Sequence, residues 1–219
     1  MLKQLAFNIS GATLITMFID VNSDQGMNWI NNGSFELGQD PAAGNIFLTA
    51  GSTAITDWFI NTGTIDYIGG TWVASDGDRS VDLSGNNAGE IQHTFETIVG
   101  ETYTVSFDLA GNPLAGPNIK SMTVSAAGDS EDFTFDTTGQ STLNMGWETN
   151  TWMFTAINST TTLSFASNND GIAGPALDHV SLTANTSVPE PSSIMGLGIL
   201  TTLCIGTGFK RKLGQAKKK

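Results

Sequence analysis

The chain has 219 residues, 39% of them apolar and 9% aromatic, so it can bury a core and does not have the composition of a disordered segment. Of its 21 acidic residues all but Asp20 and Glu190 fall between residues 24 and 187, against only Arg79 and Lys120 of the nine basic ones, for a net charge there of −17. A surface of that sign repels nucleic acid and anionic lipid, which excludes a nucleic-acid-binding function.

The N-terminus places one basic residue, Lys3, before a weakly apolar run from Leu5 to Ile19. That is the form of a secretory signal, residues 1–23, with Val21 and Ser23 as the small-residue pair before a cut ahead of Asp24. Asn8, Ser10 and Gly11 interrupt the apolar run, and the competing reading is an N-terminal strand or helix of the fold. From Trp29 to Ala184 no helical period recurs, whereas alternation does. Strands are predicted around Ile65–Ile68, Arg79–Leu83 and Ile91–Phe95. Further ones follow through Tyr103–Leu109, Met122–Val124, Phe133–Phe135, Trp152–Phe154 and Leu163–Phe165. Turn residues separate them, among them Gly69-Gly70, Asp76-Gly77, Ser84-Gly85-Asn86-Asn87, Gly111-Asn112-Pro113 and Asn169-Asp170-Gly171. Short strands at this spacing predict an all-β domain over residues 24–187, a two-sheet antiparallel jelly-roll sandwich.

The C-terminal segment, residues 188–219, opens on Val188-Pro189-Glu190-Pro191. Eighteen uncharged residues follow from Ser192 to Phe209, then Lys210-Arg211-Lys212. A helix over 192–209 covers roughly 27 Å at about 1.5 Å per residue, close to a hydrocarbon core. The basic cluster stays on the cytoplasmic side and everything before Pro189 on the other. The only cysteine, Cys204, lies in this apolar run, so the preceding domain has no disulfide. Pro189-Glu190-Pro191, the apolar run and the basic end resemble the PEP-CTERM sorting signal. The resemblance implies recognition of Pro189, Glu190 and Pro191 by an exosortase-type enzyme, transient membrane anchoring, and release or re-anchoring at the cell envelope.

The domain carries a second resemblance. Asn32-Gly33-Ser34-Phe35-Glu36, Ile65-Asp66-Tyr67-Ile68-Gly69 and Ala74-Ser75-Asp76-Gly77-Asp78-Arg79-Ser80-Val81-Asp82-Leu83 stand in that order. Thr102 to Pro113 and Gly174-Pro175-Ala176-Leu177-Asp178-His179-Val180-Ser181-Leu182 follow. Together they resemble the choice-of-anchor C family, whose domain is galactose-binding-like. What this implies is a carbohydrate-binding-like, non-catalytic protein, exported and associated with extracellular polysaccharide or a biofilm matrix. The alternative is a structural or adhesive matrix protein that engages protein partners without sugar specificity.

Candidate site residues are few. His93 shares a face with Ile91 and Phe95 and reads as packed, and His179 reads as exposed; neither has a catalytic partner at motif spacing. Strand alternation puts Asp178 on the same side as Val180 and Leu182, so it is expected to point inward, where a carboxylate must be paired, hydrogen-bonded or metal-bound. Backbone amides or Arg79 could satisfy it; so could a hard cation held by oxygens. Related jelly rolls carry a structural calcium between the opening segment and the last strand, which by resemblance implies Glu36 and Asp178, with Asp76, as ligands. For a sugar, an aromatic face beside amide or carboxylate groups is the usual requirement, and Tyr67 and Trp72, flanked by Asp66 and Gly69-Gly70, are the candidates.

Overall fold

A computed structural model describes residues 27–185 together with two short strands, β1 (Lys3–Gln4) and β2 (Phe18–Ile19), which pair antiparallel. Apart from those strands, the predicted signal peptide lies outside the described residues, as does all of the predicted sorting segment with its helix over 192–209. No helix among the described residues is long and apolar enough to cross a membrane.

The remaining strands are β3 (Asn45–Thr49), β4 (Phe59–Thr62), β5 (Thr64–Ile68), β6 (Ser80–Asp82), β7 (Glu90–Glu96) and β8 (Thr102–Gly111). They continue as β9 (Ile119–Ala126), β10 (Asp129–Asp136), β11 (Glu148–Thr155), β12 (Thr160–Ser167) and β13 (Pro175–Ala184). Every pairing is antiparallel, in a six-stranded sheet ordered β11-β8-β13-β6-β5-β3 and a five-stranded sheet ordered β10-β9-β12-β7-β4. The alternation read from Tyr103 to Leu109 is the inner face of β8, where Tyr103, Val105, Phe107 and Leu109 are all buried. Phe107 meets Phe165 of β12 across the sandwich with ring centroids 5.4 Å apart and Phe133 of β10 at 5.1 Å, so aromatic edges tie the two sheets together.

The opening Asn32–Glu36 motif is a clamp. Asn32 takes a positive φ of 54°, and its side-chain amide donates to Leu37 O and Thr56 O while its Oδ1 accepts from Leu37 N. Gly33 lies against β13: its carbonyl accepts from Val180 N at 2.9 Å, and a Cβ there would stand 1.8 Å from Val180 O. Only glycine allows that approach. Phe35 is buried against Trp58, whose indole N–H donates to Asn32 O at 2.9 Å.

The last strand departs from simple alternation. Leu177 pairs with Leu109 and Asp178 with Asp108, but the next register pair is Ser181 with Ser106. One residue is extra, a β-bulge, and His179 carries a positive φ of 49° within it. The bulge changes parity, so Val180 and Leu182 face the core while Asp178 shares the outer face with Asp108. Asp178 does not point into the core as predicted. It is buried instead because the 75–76 loop lies over it.

Candidate functional site

The outer face of the six-stranded sheet is partly roofed by loops, and what they leave open is a cleft of about 340 Å³. Asn45, Asp66 and Ile68 form its floor, and strand register gives their neighbours. On adjacent strands Phe47, Asp66 and Asp82 form one cross-strand row, and Asn45, Ile68 and Ser80 form the next. Asp66 alternates with the core residues Ile65 and Tyr67, so the strand period itself turns this carboxylate outward. Trp72, Asn86, Asn112, Leu114 and Ile172 line the walls, and the last two are exposed at the rim. Burial pushes the Asp66 carboxyl above the ordinary range for aspartate, opposed by a hydrogen bond with Asn45. Phe47, opposite Asp66, is 44% exposed, with Gly85 so close beneath its ring that a Cβ there would lie 2.9 Å from it.

The walls are locked from behind. Asp82 is wholly buried, and its Oδ2 accepts from Asn112 Nδ2 at 2.7 Å while its Oδ1 accepts from Ser84 N at 2.9 Å and Gly174 N at 3.0 Å. Lys120 is equally buried and donates from Nζ to Ala115 O and Ala173 O, each at 2.8 Å. One ammonium thus joins the 112–115 and 172–174 loops that form the walls. Burial lowers its pKa, with the Asp82 charge acting the other way.

Of the two aromatics predicted to meet a ligand, one does not reach the surface. Tyr67 is 0% exposed, on the inner face of β5, where its hydroxyl donates to Phe35 O and accepts from Arg79 Nη1 at 3.0 Å. Trp72 does line the cleft but is only 5% exposed, and its indole N–H donates to Ser80 Oγ at 2.9 Å. It packs the wall and leaves little ring face to a ligand. Phe47 was missed because Asn45-Ile46-Phe47-Leu48-Thr49 reads as an apolar run. The exposed position becomes visible only when its pairing with Asp66 is known.

The family described as "Protein of unknown function (DUF642)" matches residues 28–183. The chain belongs to that family. It is 31% identical over 181 residues to halomucin of Haloquadratum walsbyi, an alignment that takes 77% of this chain and spans only 2% of that protein's length. Among solved structures it is similar to the CBM22-1 xylan-binding domain from Paenibacillus barcinonensis, at 13% identity and a TM-score of 0.49, covering 74% of this chain and 97% of that one. It is also similar to a family 16 carbohydrate-binding module, at 16% identity and a TM-score of 0.44, covering 71% and 99%.

In this DUF642 domain two of the three predicted calcium ligands, Glu36 and Asp178, accept backbone amides, and the third, Asp76, is exposed. Asp178 Oδ2 accepts from Ser75 N at 2.8 Å and Asp76 N at 2.9 Å, and its Oδ1 from His179 N at 2.7 Å. Glu36 Oε1 accepts from Asp78 N and Arg79 N, both at 2.8 Å. Asp178 thus accepts N–H groups through both oxygens and Glu36 through Oε1, and together they shape the 75–79 loop that carries the exposed Asp76. Among the described residues no group of three or more His, Cys, Asp or Glu side chains is placed to hold a metal. Beside this loop, Asp108 accepts from Thr149 Oγ1 at 2.6 Å and from Ser75 Oγ, with His179 Nδ1 at 3.3 Å. Ser75 donates to the carboxylate and not to the imidazole, so the trio is not arranged as a nucleophile with its base.

Proposed function

We propose that this DUF642 chain is an exported, non-catalytic carbohydrate-binding protein that holds a sugar in the cleft above Asp66. The observation that carries this reading is the pair formed by Phe47 and Asp66. Phe47, with its ring exposed beside the cleft, is the cross-strand partner of the half-buried Asp66, and Asn45 and Asn86 line the cleft around that carboxylate. A pyranose needs that combination: an aromatic face for its C–H groups and acceptors or amides for its hydroxyls. A volume of about 340 Å³ suits a short stretch of glycan and not an extended surface. The competing reading, a structural or adhesive matrix protein, draws on the burial of Tyr67 and Trp72, which removes the ligand face first assigned to them. Phe47 restores one.

The test is retention on a panel of insoluble polysaccharides. The wild-type protein is expected to be held by at least one, and Phe47→Ala and Asp66→Asn each to weaken that binding about tenfold, the effect of losing roughly 1.4 kcal/mol. Retention that neither variant changes would move the site elsewhere. No retention at all would return the function to matrix structure.

Sorting is proposed from the sequence motif alone. An exosortase-type enzyme acts at Pro189-Glu190-Pro191 and leaves the domain at the cell envelope or in the extracellular matrix. Deleting residues 188–219 is expected to release the protein into the medium, and unchanged fractionation with membranes would refute that step.

A further inference from the structure

We infer that the cleft selects a basic glycan, a sugar carrying a protonated amine, over its neutral and anionic counterparts; this rests on the sugar-binding reading. Among the described residues no Lys or Arg lines the cleft. The two cations between residues 24 and 187 are already committed: Lys120 Nζ to two carbonyls, and Arg79 to Tyr67 at 3.0 Å and Asp40 at 3.5 Å. A uronate or sulfated sugar would therefore bring its charge to Asp66 and, on the next strand, Asp82, with no free counter-charge among the described residues and a net charge of −17 over residues 24–187.

For an ammonium the same groups are favourable. Asp82 is engaged by three N–H donors, whereas Asp66 is half-buried at the floor and has acceptor capacity left toward the cleft. Its cross-strand partner on β3 is Phe47, whose ring packs against Gly85 of the cleft lining. Cross-strand neighbours in an antiparallel pair hold their Cβ atoms about 5 Å apart. An ammonium seated between them meets a carboxylate on one side and a ring face on the other, each of which attracts it. Acetylating the amine removes the charge, the ion pair and the cation–π contact together. Burial also holds the Asp66 carboxyl above the normal aspartate range, a shift that a bound cation would reverse.

Calorimetric titration of the full chain with three trisaccharides tests this: the β-1,4-linked glucosamine trimer, its fully N-acetylated form, and trigalacturonate. The glucosamine trimer is expected to bind at least tenfold more tightly than the acetylated one, and trigalacturonate not at all. Asp66→Asn should weaken both of the first two, the free trimer by at least about tenfold more than the acetylated one, and so bring them to within about twofold of each other. Attraction by the net charge alone would survive that substitution, since −17 becomes −16. Equal binding of the free and acetylated trimers by the wild type would overturn the inference and leave the sugar site standing. Binding of none of the three, alongside no retention on any polysaccharide, would overturn the sugar reading itself. Binding of trilysine as tightly as the glucosamine trimer would show that the cleft reads an amine without its sugar, and would also overturn the inference.

Discussion

Lys120→Met is expected to lower the melting temperature by roughly 6–12 °C, the equivalent of about 3 kcal/mol in a domain of this size. The substitution keeps most of the side-chain volume, and what it removes is the ammonium that donates to Ala115 O and Ala173 O at 2.8 Å each. Hydrogen bonds to a charged group are worth about 1.5–3 kcal/mol apiece, and buried carbonyls left without donors cost about 1–3 kcal/mol each. Against this stands the relief of no longer burying a charge, which lowers the Lys120 pKa. Replacing a buried ion is neutral or favourable only when its partners are replaced with it. Here the two carbonyls and the Asp82 carboxylate remain, so destabilisation wins. Because the ammonium joins the two wall loops of the cleft, backbone hydrogen exchange should quicken in residues 111–118 and 171–174 ahead of the core strands. An unchanged melting curve would mean that water serves the two carbonyls as well as Lys120 does.

The role of Lys120 was open to reading from the sequence. In Ile119-Lys120-Ser121-Met122 the strand period puts Lys120 on the face of Met122 and Val124, so a lone inward lysine in a domain with one other cation was visible in the alternation. The sequence reading instead gave the joining of the opening and closing segments to a calcium ion on Glu36, Asp76 and Asp178. Glu36 and Asp178 do tie distant segments together, but by accepting N–H groups. Asp178 misled for a definable reason. Period-two counting from Val180 and Leu182 assumes an uninterrupted strand, and a histidine with positive φ gives no compositional sign of the bulge that shifts the parity. Tyr67 was misassigned although its own strand says otherwise, since it alternates with Ile65 and leaves Asp66 to face outward. β5 through β13 were legible because each has one wet and one dry face or a run bounded by turn residues. β3 and β4 were not, because both are short edge strands whose register comes from their neighbours and not from their own pattern.

Stability is expected to rise, not fall, as the pH is lowered from 8 to 5. Burial lifts the Asp82 carboxyl from 3.8 to about 7, outweighing the hydrogen bonds from Asn112, Ser84 and Gly174 that favour its charged form. It does the same to Asp178, again to about 7, against the amides of Asp76, His179 and Ser75. Between the unfolded and folded pKa values the native state holds a proton that the unfolded chain has lost. The stability each group contributes is therefore complete below about pH 4 and is lost as the pH rises through 7. At about 1.4 kcal/mol per pH unit, each adds roughly 3 kcal/mol between pH 8 and pH 5, and the melting temperature should climb by roughly 10 °C or more. Relief of repulsion in a domain of charge −17 acts in the same direction, but it is spread over the surface and about 0.5 M salt screens it, whereas buried groups are screened little. The slope that survives in salt belongs mainly to the two buried carboxyls, with Asp66 adding in the same direction, and Asp82→Asn should remove up to about half of it. A melting temperature that falls over this range would mean that both carboxylates stay ionised, held by their N–H donors. Asp82 would then carry a full negative charge one strand away from Asp66 at every working pH.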